Sequence, residues 1–346
     1  MRQLAKYSFA NAKIRAMLSY LLEPAVFSFL LETKDVYELV EALKKTPYKE
    51  IVEDIDQDKL DLNGLEKKFL KADIVAYRKV YGALSTKPEK EFTALLLERY
   101  ELEELKVALR IWHKKAQVDL DYYIIEQNIC YSIDFKKISL AATIEEVILL
   151  LDETPYKKPL LKVKEKFKER NSSFYLEAAL DVDYYTRLNN QVSRLCGSDQ
   201  KVAHKILGVA VDIENINWLI RLRKYYSLGM GEMLEWFIPG GERINQEVIR
   251  KFYTTDGLTK VVESVAFGPY ARIKDLVEEN VALIENFLYE FLSREVKAAL
   301  SGFPFTIGTV LGYLILRHRE TRNIISLFNA KHYGWKRQEI QPLLSL

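Results

Sequence analysis

The chain has 346 residues, of which 49% are apolar and 29% are charged. This composition is typical of a globular protein and excludes a disordered one. The 51 basic and 49 acidic residues leave a net charge of +2, so the composition provides no basic surface for nucleic acid or anionic lipid. Because only 14 glycines and 9 prolines occur, the chain favours long helices over strands joined by tight turns.

Cys130 and Cys196 form no C-x-x-C motif and have no histidine cluster nearby. We therefore expect buried thiols in a reducing compartment. Charged residues interrupt the N-terminus and no signal-peptide cleavage pattern follows, so we expect no secretory leader. The alternating charges predict solvated helix faces with ion pairs one turn apart.

The segment 298–316 has no charged residue, so we tested it as a membrane span. Its length is close to that of a spanning helix, and Gly308 and Gly312 have the G-x-x-x-G spacing of packed membrane helices. Pro304 interrupts the segment near its start, however. A helix that begins near Phe305 has about a dozen apolar positions, too few to span. The pattern favours a buried core helix.

Internal repetition begins with a short motif that follows helical patterns. Thr46-Pro47-Tyr48-Lys49 recurs as Thr154-Pro155-Tyr156-Lys157, and a weaker copy is Gly268-Pro269-Tyr270. The three copies are spaced by about 110 residues. Amphipathic helices are predicted directly before them at Val36–Lys45, Ile144–Glu153 and Leu258–Phe267. Asp35 and Thr143 are the expected N-caps of the first two, and Asp256 lies near the start of the third.

Two further landmarks repeat in the same order and with nearly the same spacing. The first comprises Leu65–Phe69, Leu176–Leu180 and Ile284–Leu288. The second marks a long helix in each copy and comprises Leu102–Arg110, Ile213–Arg221 and Thr321–Asn329. Together they predict three helical repeats, at 1–113, 114–226 and 227–346. The alternative is three unrelated helical segments.

We therefore predict an all-α protein with three similar helical domains in a pseudo-threefold arrangement. A unit of about 110 residues is much longer than an ordinary solenoid repeat, so each can hold several helices and a small core. If the three units close around an axis, they form a funnel whose opening can receive another protein.

Searches for catalytic patterns fail throughout the sequence. There is no phosphate-binding G-x-x-x-x-G-K-[ST] loop, no G-x-S-x-G nucleophile motif and no histidine or cysteine spacing that suits a metal. The sequence therefore predicts no catalytic residue, no cofactor, no metal site and no small-molecule substrate.

Five residues are candidates for a partner interface. Arg221, Arg223 and Lys224 end a long helix, where they either complement its C-terminus or line the opening. Trp236 and Arg243 flank the Pro-Gly-Gly turn at 239–241, which either covers the core or is shaped for a partner.

Motifs in all three thirds resemble the C subunit of the A/V-type rotary ATPases, called d in eukaryotes. They are Tyr7–Met17, Asp212–Arg223 with Ile238–Gly241, and Tyr313–Ile324. The resemblance implies a non-catalytic central-stalk protein whose three helical domains form a funnel. It implies that the protein sits on the cytoplasmic face of the membrane ring of ion-carrying subunits and receives the central shaft. Contact with the membrane would then be indirect, through the ring.

Two alternatives remain from the sequence. A general helical scaffold in another complex would have the same repeats without the ATPase partners. A helical enzyme would need an active site assembled from residues far apart in the sequence.

Overall fold

The computed structural model describes residues 2–55, 61–225, 230–253, 266–279, 281–341 and 344, and this part of the chain is helical with no strand. The all-α prediction is confirmed. The α-helices of the described residues are α1 (Arg2–Leu18), α2 (Pro24–Glu32), α3 (Val36–Leu43), α4 (Lys49–Val52), α5 (Leu62–Ala83), α6 (Lys87–Lys114), α7 (Phe135–Leu140), α8 (Ile144–Leu150), α9 (Lys157–Arg170), α10 (Phe174–Val192), α11 (Ser198–Tyr225), α12 (Met230–Glu235), α13 (Gln246–Tyr253), α14 (Ile273–Glu279), α15 (Val281–Ser301), α16 (Ile307–His332) and α17 (Arg337–Ile340). Short 3-10 helices lie at Leu120–Tyr122 and Gly268–Tyr270.

The two predicted N-caps occupy the same place in the first two repeats. The Asp35 carboxylate accepts a hydrogen bond from the Glu38 backbone N–H at 2.9 Å, at the start of α3. The Thr143 hydroxyl accepts one from Glu146 at 3.3 Å, at the start of α8. Such bonds satisfy donors that the first helical turn leaves free. The helix α3 ends at Leu43 rather than at the predicted Lys45, and α8 ends at Leu150 rather than at Glu153.

Six long helices pack in a closed cycle. In this cycle α5 packs on α6, α6 on α10, α10 on α11, α11 on α15, α15 on α16, and α16 again on α5. The last contact joins the C-terminal part of the chain to its N-terminal third. The closed cycle is observed, whereas the funnel shape and the three domain boundaries stay predictions.

The first turns of α6, α11 and α16 meet around the ammonium group of Lys6, which lies on α1. Lys6 forms an ion pair with Asp199 at 2.8 Å and a second one with Glu89. The other oxygen of Asp199 accepts the Ile307 backbone N–H at 2.8 Å. Burial disfavours the charged form of Lys6, but the hydrogen bonds to Asp199 and Glu89 outweigh it, so the pKa of Lys6 is raised. One basic residue thus joins the starts of the three helices.

The apolar interior consists of two clusters. The smaller one holds the side chains of α2 to α5 against the second half of α16, including Phe69 and Phe328 with ring centroids 6.1 Å apart. Ile340 and Leu344 also belong to it. The larger cluster fills the rest of the long-helix assembly. The short helices α2 to α4 are therefore packed between α5 of the first repeat and the second half of α16.

The segment tested as a membrane span is divided as expected. α15 ends at Ser301 and α16 begins at Ile307, with the Thr306 hydroxyl as its N-cap. No helix of the described residues is long and apolar enough to cross a bilayer. Gly312 allows α15 and α16 to approach closely, because a Cβ there would lie 2.7 Å from Cγ of Leu300.

Two expectations about buried groups are wrong. Cys130 and Cys196 are exposed rather than buried. Carboxylates of α6 that the charge pattern placed on a solvated face are buried instead: Glu98, Glu101 and Glu104 are 3%, 0% and 2% exposed. Such burial requires hydrogen-bond or charge partners for these groups.

Parts of other predictions lie outside the described residues. These are residues 258–265 of the third predicted helix, its proposed cap Asp256, and the side chains of Arg221, Arg223 and Lys224.

Candidate partner interface

Part of each of the helices α6, α11 and α16 is buried except along one narrow accessible strip. In α6, residues 101–110 are buried apart from Glu103, Val107 and Arg110. Because these residues are three or four positions apart, they share one helix face. Equivalent strips include Glu214 and Trp218 on α11, and Arg322, Ser326 and Asn329 on α16.

The strips occupy the same register in the three repeats. Their members follow the spacing of about 110 residues that the repeated motifs predicted. The equivalent sets are Arg99, Ala210 and His318; then Glu103, Glu214 and Arg322; then Val107, Trp218 and Ser326; and finally Arg110, Arg221 and Asn329.

Contacts across the long-helix assembly show that the strips face inward. The Arg99 guanidinium on α6 donates to the Tyr185 hydroxyl on α10 at 2.7 Å and to Glu214 on α11 at 2.8 Å. The neighbouring Tyr100 hydroxyl lies 3.1 Å from Nδ1 of His318 on α16. Since α6 is separated from α11 by α10 and from α16 by α5, these side chains meet in the interior.

Several side chains of the α6 strip are accessible to solvent. The side chains of Arg99, Glu103 and Arg110 are 42%, 48% and 44% exposed. The pKa of Glu103 nevertheless responds to burial, which raises it, although Lys106 and Arg99 more than compensate and hold it below its usual range. Glu103 is therefore accessible to solvent, while the neighbouring basic side chains favour its charged form.

A second repeated feature attaches a loop to each of the three long helices α6, α11 and α16. A buried carboxylate on the helix accepts a hydrogen bond from the tyrosine of the repeated Pro-Tyr motif. We call each such pair a clamp, and the three clamps are Glu101–Tyr156 at 3.2 Å, Asp212–Tyr270 at 2.9 Å and Glu320–Tyr48 at 2.5 Å. Each tyrosine is at most 1% exposed. Burial of such a ring contributes about 2–3 kcal/mol.

The clamp carboxylates also bind backbone N–H groups of the adjoining loop. Glu101 accepts the N–H groups of Cys130 and Tyr131, at 2.7 and 2.9 Å. Asp212 accepts those of Arg243 and Ile244, both at 2.9 Å. Glu320 accepts that of Leu22 at 2.8 Å. Each carboxylate therefore fixes a loop and a tyrosine together.

Burial changes the acidity of the clamps. It raises the pKa of Glu320 to about 7 and that of Asp212 to about 6, and it also raises the pKa of Glu101. Hydrogen bonds from the tyrosines and the loop N–H groups act in the opposite direction, because they favour the charged carboxylate.

The Pro-Gly-Gly turn is ordered by α11. Asn215 accepts the Ile238 N–H at 3.0 Å and donates to the Ile238 carbonyl at 2.9 Å. A Cβ at Gly241 would lie 2.3 Å from the Asp212 carboxylate and 2.7 Å from the Ile244 carbonyl, so only glycine fits there. The conformation of the turn is thus fixed by its contacts with α11.

The candidate interface residues divide into three cases. Trp236 is 7% exposed and packs on Phe174 and Tyr175, with ring centroids 6.1 and 5.9 Å apart. These contacts fit the core-covering alternative for the turn. Arg243 is exposed and supplies a backbone N–H to a clamp. Arg221 is equivalent to Arg110 of the α6 strip, but its side chain, like those of Arg223 and Lys224, lies outside the described residues. Their partner roles stay predictions.

A further concavity of about 680 Å³ lies between α5, α6 and α10. Its arginines are engaged within the protein: Arg187 pairs with Glu98, and Arg78 pairs with Glu126 at 2.7 Å. Nothing in this lining identifies a ligand. Among the described residues no group of three or more potential metal ligands occurs.

Sequence reasoning missed the strips and the clamps. The repeat spacing would have aligned Glu101, Asp212 and Glu320, because they stand one position before the second landmark of each repeat. Burial is what distinguishes these carboxylates from neighbouring ones, and charge patterning does not reveal burial.

The fold and the repeated clamps define an all-helical protein whose polar inner surface is built from three equivalent helices. The family described as ATP synthase (C/AC39) subunit matches residues 10–343. The chain belongs to this family, which confirms the resemblance predicted from its motifs.

Similar proteins from archaea cover nearly the same length. The C subunit of the A-type ATP synthase of Methanocaldococcus jannaschii is 22% identical over 99% of this chain and 86% of its own length. The protein of that name from Thermococcus kodakarensis is 24% identical over 92% of this chain and 84% of its own length. That from Methanosarcina acetivorans is 24% identical, over 94% and 89% respectively.

Proposed function

We propose that this chain is a non-catalytic rotor component of a V/A-type ATPase, and that it couples the central shaft to the membrane ring of ion-carrying subunits. The family match over nearly the whole chain carries this proposal. Relatives named as the C subunit of A-type ATP synthases support the ATPase assignment. The proposed location is peripheral, on the cytoplasmic face of the membrane, where the ring provides the anchor.

The inner strips support the shaft as the partner inside the assembly. They present paired charges and one large aromatic side chain, Trp218, along one face of each long helix. Trp and Arg side chains in concave, partly desolvated sites provide much of the affinity of protein interfaces. The repeated clamps support three similar domains arranged as a funnel, since each fixes one loop and one tyrosine to one long helix.

The direct test is affinity purification of the tagged chain from detergent-solubilised native membranes. The proposal predicts that the shaft subunits and the ring subunits are recovered together with it. Recovery of signalling or trafficking proteins without any ATPase subunit would favour a general scaffold and contradict the proposal.

A charge-reversal experiment tests the opening. Arg221→Glu with Arg223→Glu is expected to weaken binding of purified shaft subunits while the thermal unfolding midpoint changes little. Arg78→Glu is a matched control, because Arg78 is 43% exposed on the other concavity, away from the strips. Equal binding by the double variant and the unaltered protein would remove these arginines from the interface.

A further inference from the structure

The three strips have equivalent positions but different side chains. At one level α6 and α11 carry Glu103 and Glu214, whereas α16 carries Arg322. All three are accessible, with side-chain exposures of 48%, 21% and 56%. We call the three strips the walls of the site that would receive the shaft. Three identical walls would allow the shaft to bind in three equivalent orientations. This level distinguishes one wall from the other two by the sign of its charge.

The next level differs in size. The equivalent residues there are Val107, Trp218 and Ser326, so one wall carries a bulky ring and another a small hydroxyl. The indole of Trp218 is fixed against Phe174, with ring centroids 5.4 Å apart. Charge and shape therefore break the equivalence of the walls independently, on adjacent turns of the same helices.

The accessible charges have partners, but these belong to the protein's own walls. Glu103 pairs with Lys106 at 2.8 Å, and Arg322 pairs with Glu66 at 3.2 Å. The Glu103 and Arg322 side chains remain open to solvent, where charge interactions are weak. A bound partner would exclude water and strengthen every charge interaction across the wall, including unfavourable contacts between like charges.

We propose that Arg322 opposite Glu103 and Glu214 fixes the single rotational register in which the shaft sits, with an acidic group of the shaft facing Arg322 and basic groups facing the two glutamates. This inference rests on the proposed function, because it takes the shaft as the occupant. A register of this kind prevents a torque-bearing shaft from settling in any of three positions.

The test uses a photo-crosslinking amino acid placed in turn at Val107 and at Ser326, which are equivalent positions on α6 and α16. Purified shaft subunits are bound to each protein, irradiated, and the linked shaft peptides are identified by mass spectrometry. With Arg322 present, the two positions should link to different shaft peptides. After Arg322→Glu, which gives all three strips an acidic residue at the level of Glu103 and Glu214, both positions should link to overlapping sets of peptides, and affinity should fall by about tenfold.

Control variants separate the possible outcomes. Arg78→Glu should leave the peptide pattern unchanged. Glu103→Arg is a second variant that redistributes the links if Arg322→Glu does not fold. If the unaltered protein binds the shaft but both positions link to one shared set, or if neither variant changes the pattern, the register inference is overturned while the proposed function stands. If the unaltered protein does not bind the shaft, both fail.

Discussion

The clamps on α6 and α11 differ from the clamp on α16 in how the chain supports them. Glu101 and Asp212 hold loops and tyrosines that follow their own helix within about 60 residues of sequence, so chain continuity keeps the partners close. Glu320 instead holds Tyr48 and Leu22, from the opposite end of the chain. The same pairing of a carboxylate with a tyrosine therefore joins residues far apart in sequence on α16, and residues closer in sequence on α6 and α11.

The long-range clamp has additional polar support. Asp73 on α5 is fully buried and accepts hydrogen bonds from Arg317 at 2.9 Å and from the Thr321 hydroxyl at 2.8 Å. The Lys331 ammonium group donates to the Leu31 carbonyl at 2.9 Å. Buried charged groups therefore support the contact that closes the helix cycle. In the other two repeats, the covalent chain itself keeps the clamp partners close to each other.

The largest effect is expected from breaking that network. Asp73→Ala leaves Arg317, whose side chain is 13% exposed, without its buried carboxylate, and loss of one partner from such a pair costs about 3–5 kcal/mol. Urea unfolding followed by circular dichroism measures the loss. The control Asp183→Ala removes a partly exposed partner of Arg187 and should cost less than about 1 kcal/mol. Equal losses of unfolding free energy in the two variants would show that the buried Asp73 network contributes no more stability than a partly exposed ion pair.

The pH dependence of the closing clamp is the next largest effect. Because burial raises the pKa of Glu320 to about 7, the folded state retains its proton to higher pH than the unfolded chain does. The stability from this group is present below about pH 4 and is lost as the pH rises to about 7, a change of roughly 3 kcal/mol. Glu320→Gln should remove this slope.

Urea unfolding of the unaltered protein and of Glu320→Gln at several pH values measures that difference. The groups that face Glu320 are Tyr48, Arg317 and Asp73, and none of them changes in the variant. Glu53→Gln, at a glutamate with a 55% exposed side chain, should leave the slope unchanged. A slope that persists in Glu320→Gln would assign the pH dependence to another carboxyl group.

Removing the tyrosine hydroxyls compares the three clamps directly. Tyr48→Phe should cost about 2 kcal/mol, because that hydroxyl donates to Glu320 and also accepts a hydrogen bond from Arg317 at 3.0 Å. Tyr156→Phe and Tyr270→Phe each remove one hydrogen bond to a carboxylate and should cost about 1–1.5 kcal/mol. The midpoints of urea unfolding rank them. A smaller cost for Tyr48 than for the other two would contradict the added importance of the closing clamp.

The smallest effect concerns the helix caps that the first two repeats share. Asp35→Ala and Thr143→Ala each remove one N-cap hydrogen bond and should cost about 1 kcal/mol. Since the caps lie at equivalent positions, thermal unfolding should give similar losses for both. A loss at one site alone would mean that the first two repeats differ in how these helices contribute to stability.

The helical class and the two N-caps could be predicted from the sequence because they depend on local patterns, whereas the boundaries of the three repeats stay predictions. Pro47 and Pro155 follow the ends of α3 and α8, and Asp35 and Thr143 mark where these two helices start. Most of the helix predicted before Pro269 lies outside the described residues. The break before α16 followed from Pro304.

The interior could not be predicted in the same way. Glu101 and Glu104 have the same spacing and charge as solvated carboxylates, and only the packing of α6 among its neighbours shows that they are buried. The partner of Tyr48 lies in the last long helix, far away in sequence, and no local pattern predicts that pairing. The prediction that Cys130 is buried was wrong. It relied on the usual burial of free cysteines, whereas Cys130 lies on an exposed loop.

Hydroxyl-radical footprinting of Trp218 tests whether the inner strips receive the shaft in the assembled complex. The indole is half-buried in the isolated chain and lies on the α11 strip. Modification of Trp218 should fall several-fold in the complex purified from membranes, relative to the isolated chain, while Tyr122, which is 47% exposed on the loop after α6, serves as the reference. Equal modification of Trp218 in the two states would mean that the strips are as open in the assembled complex as in the free protein, and that the shaft does not bind there.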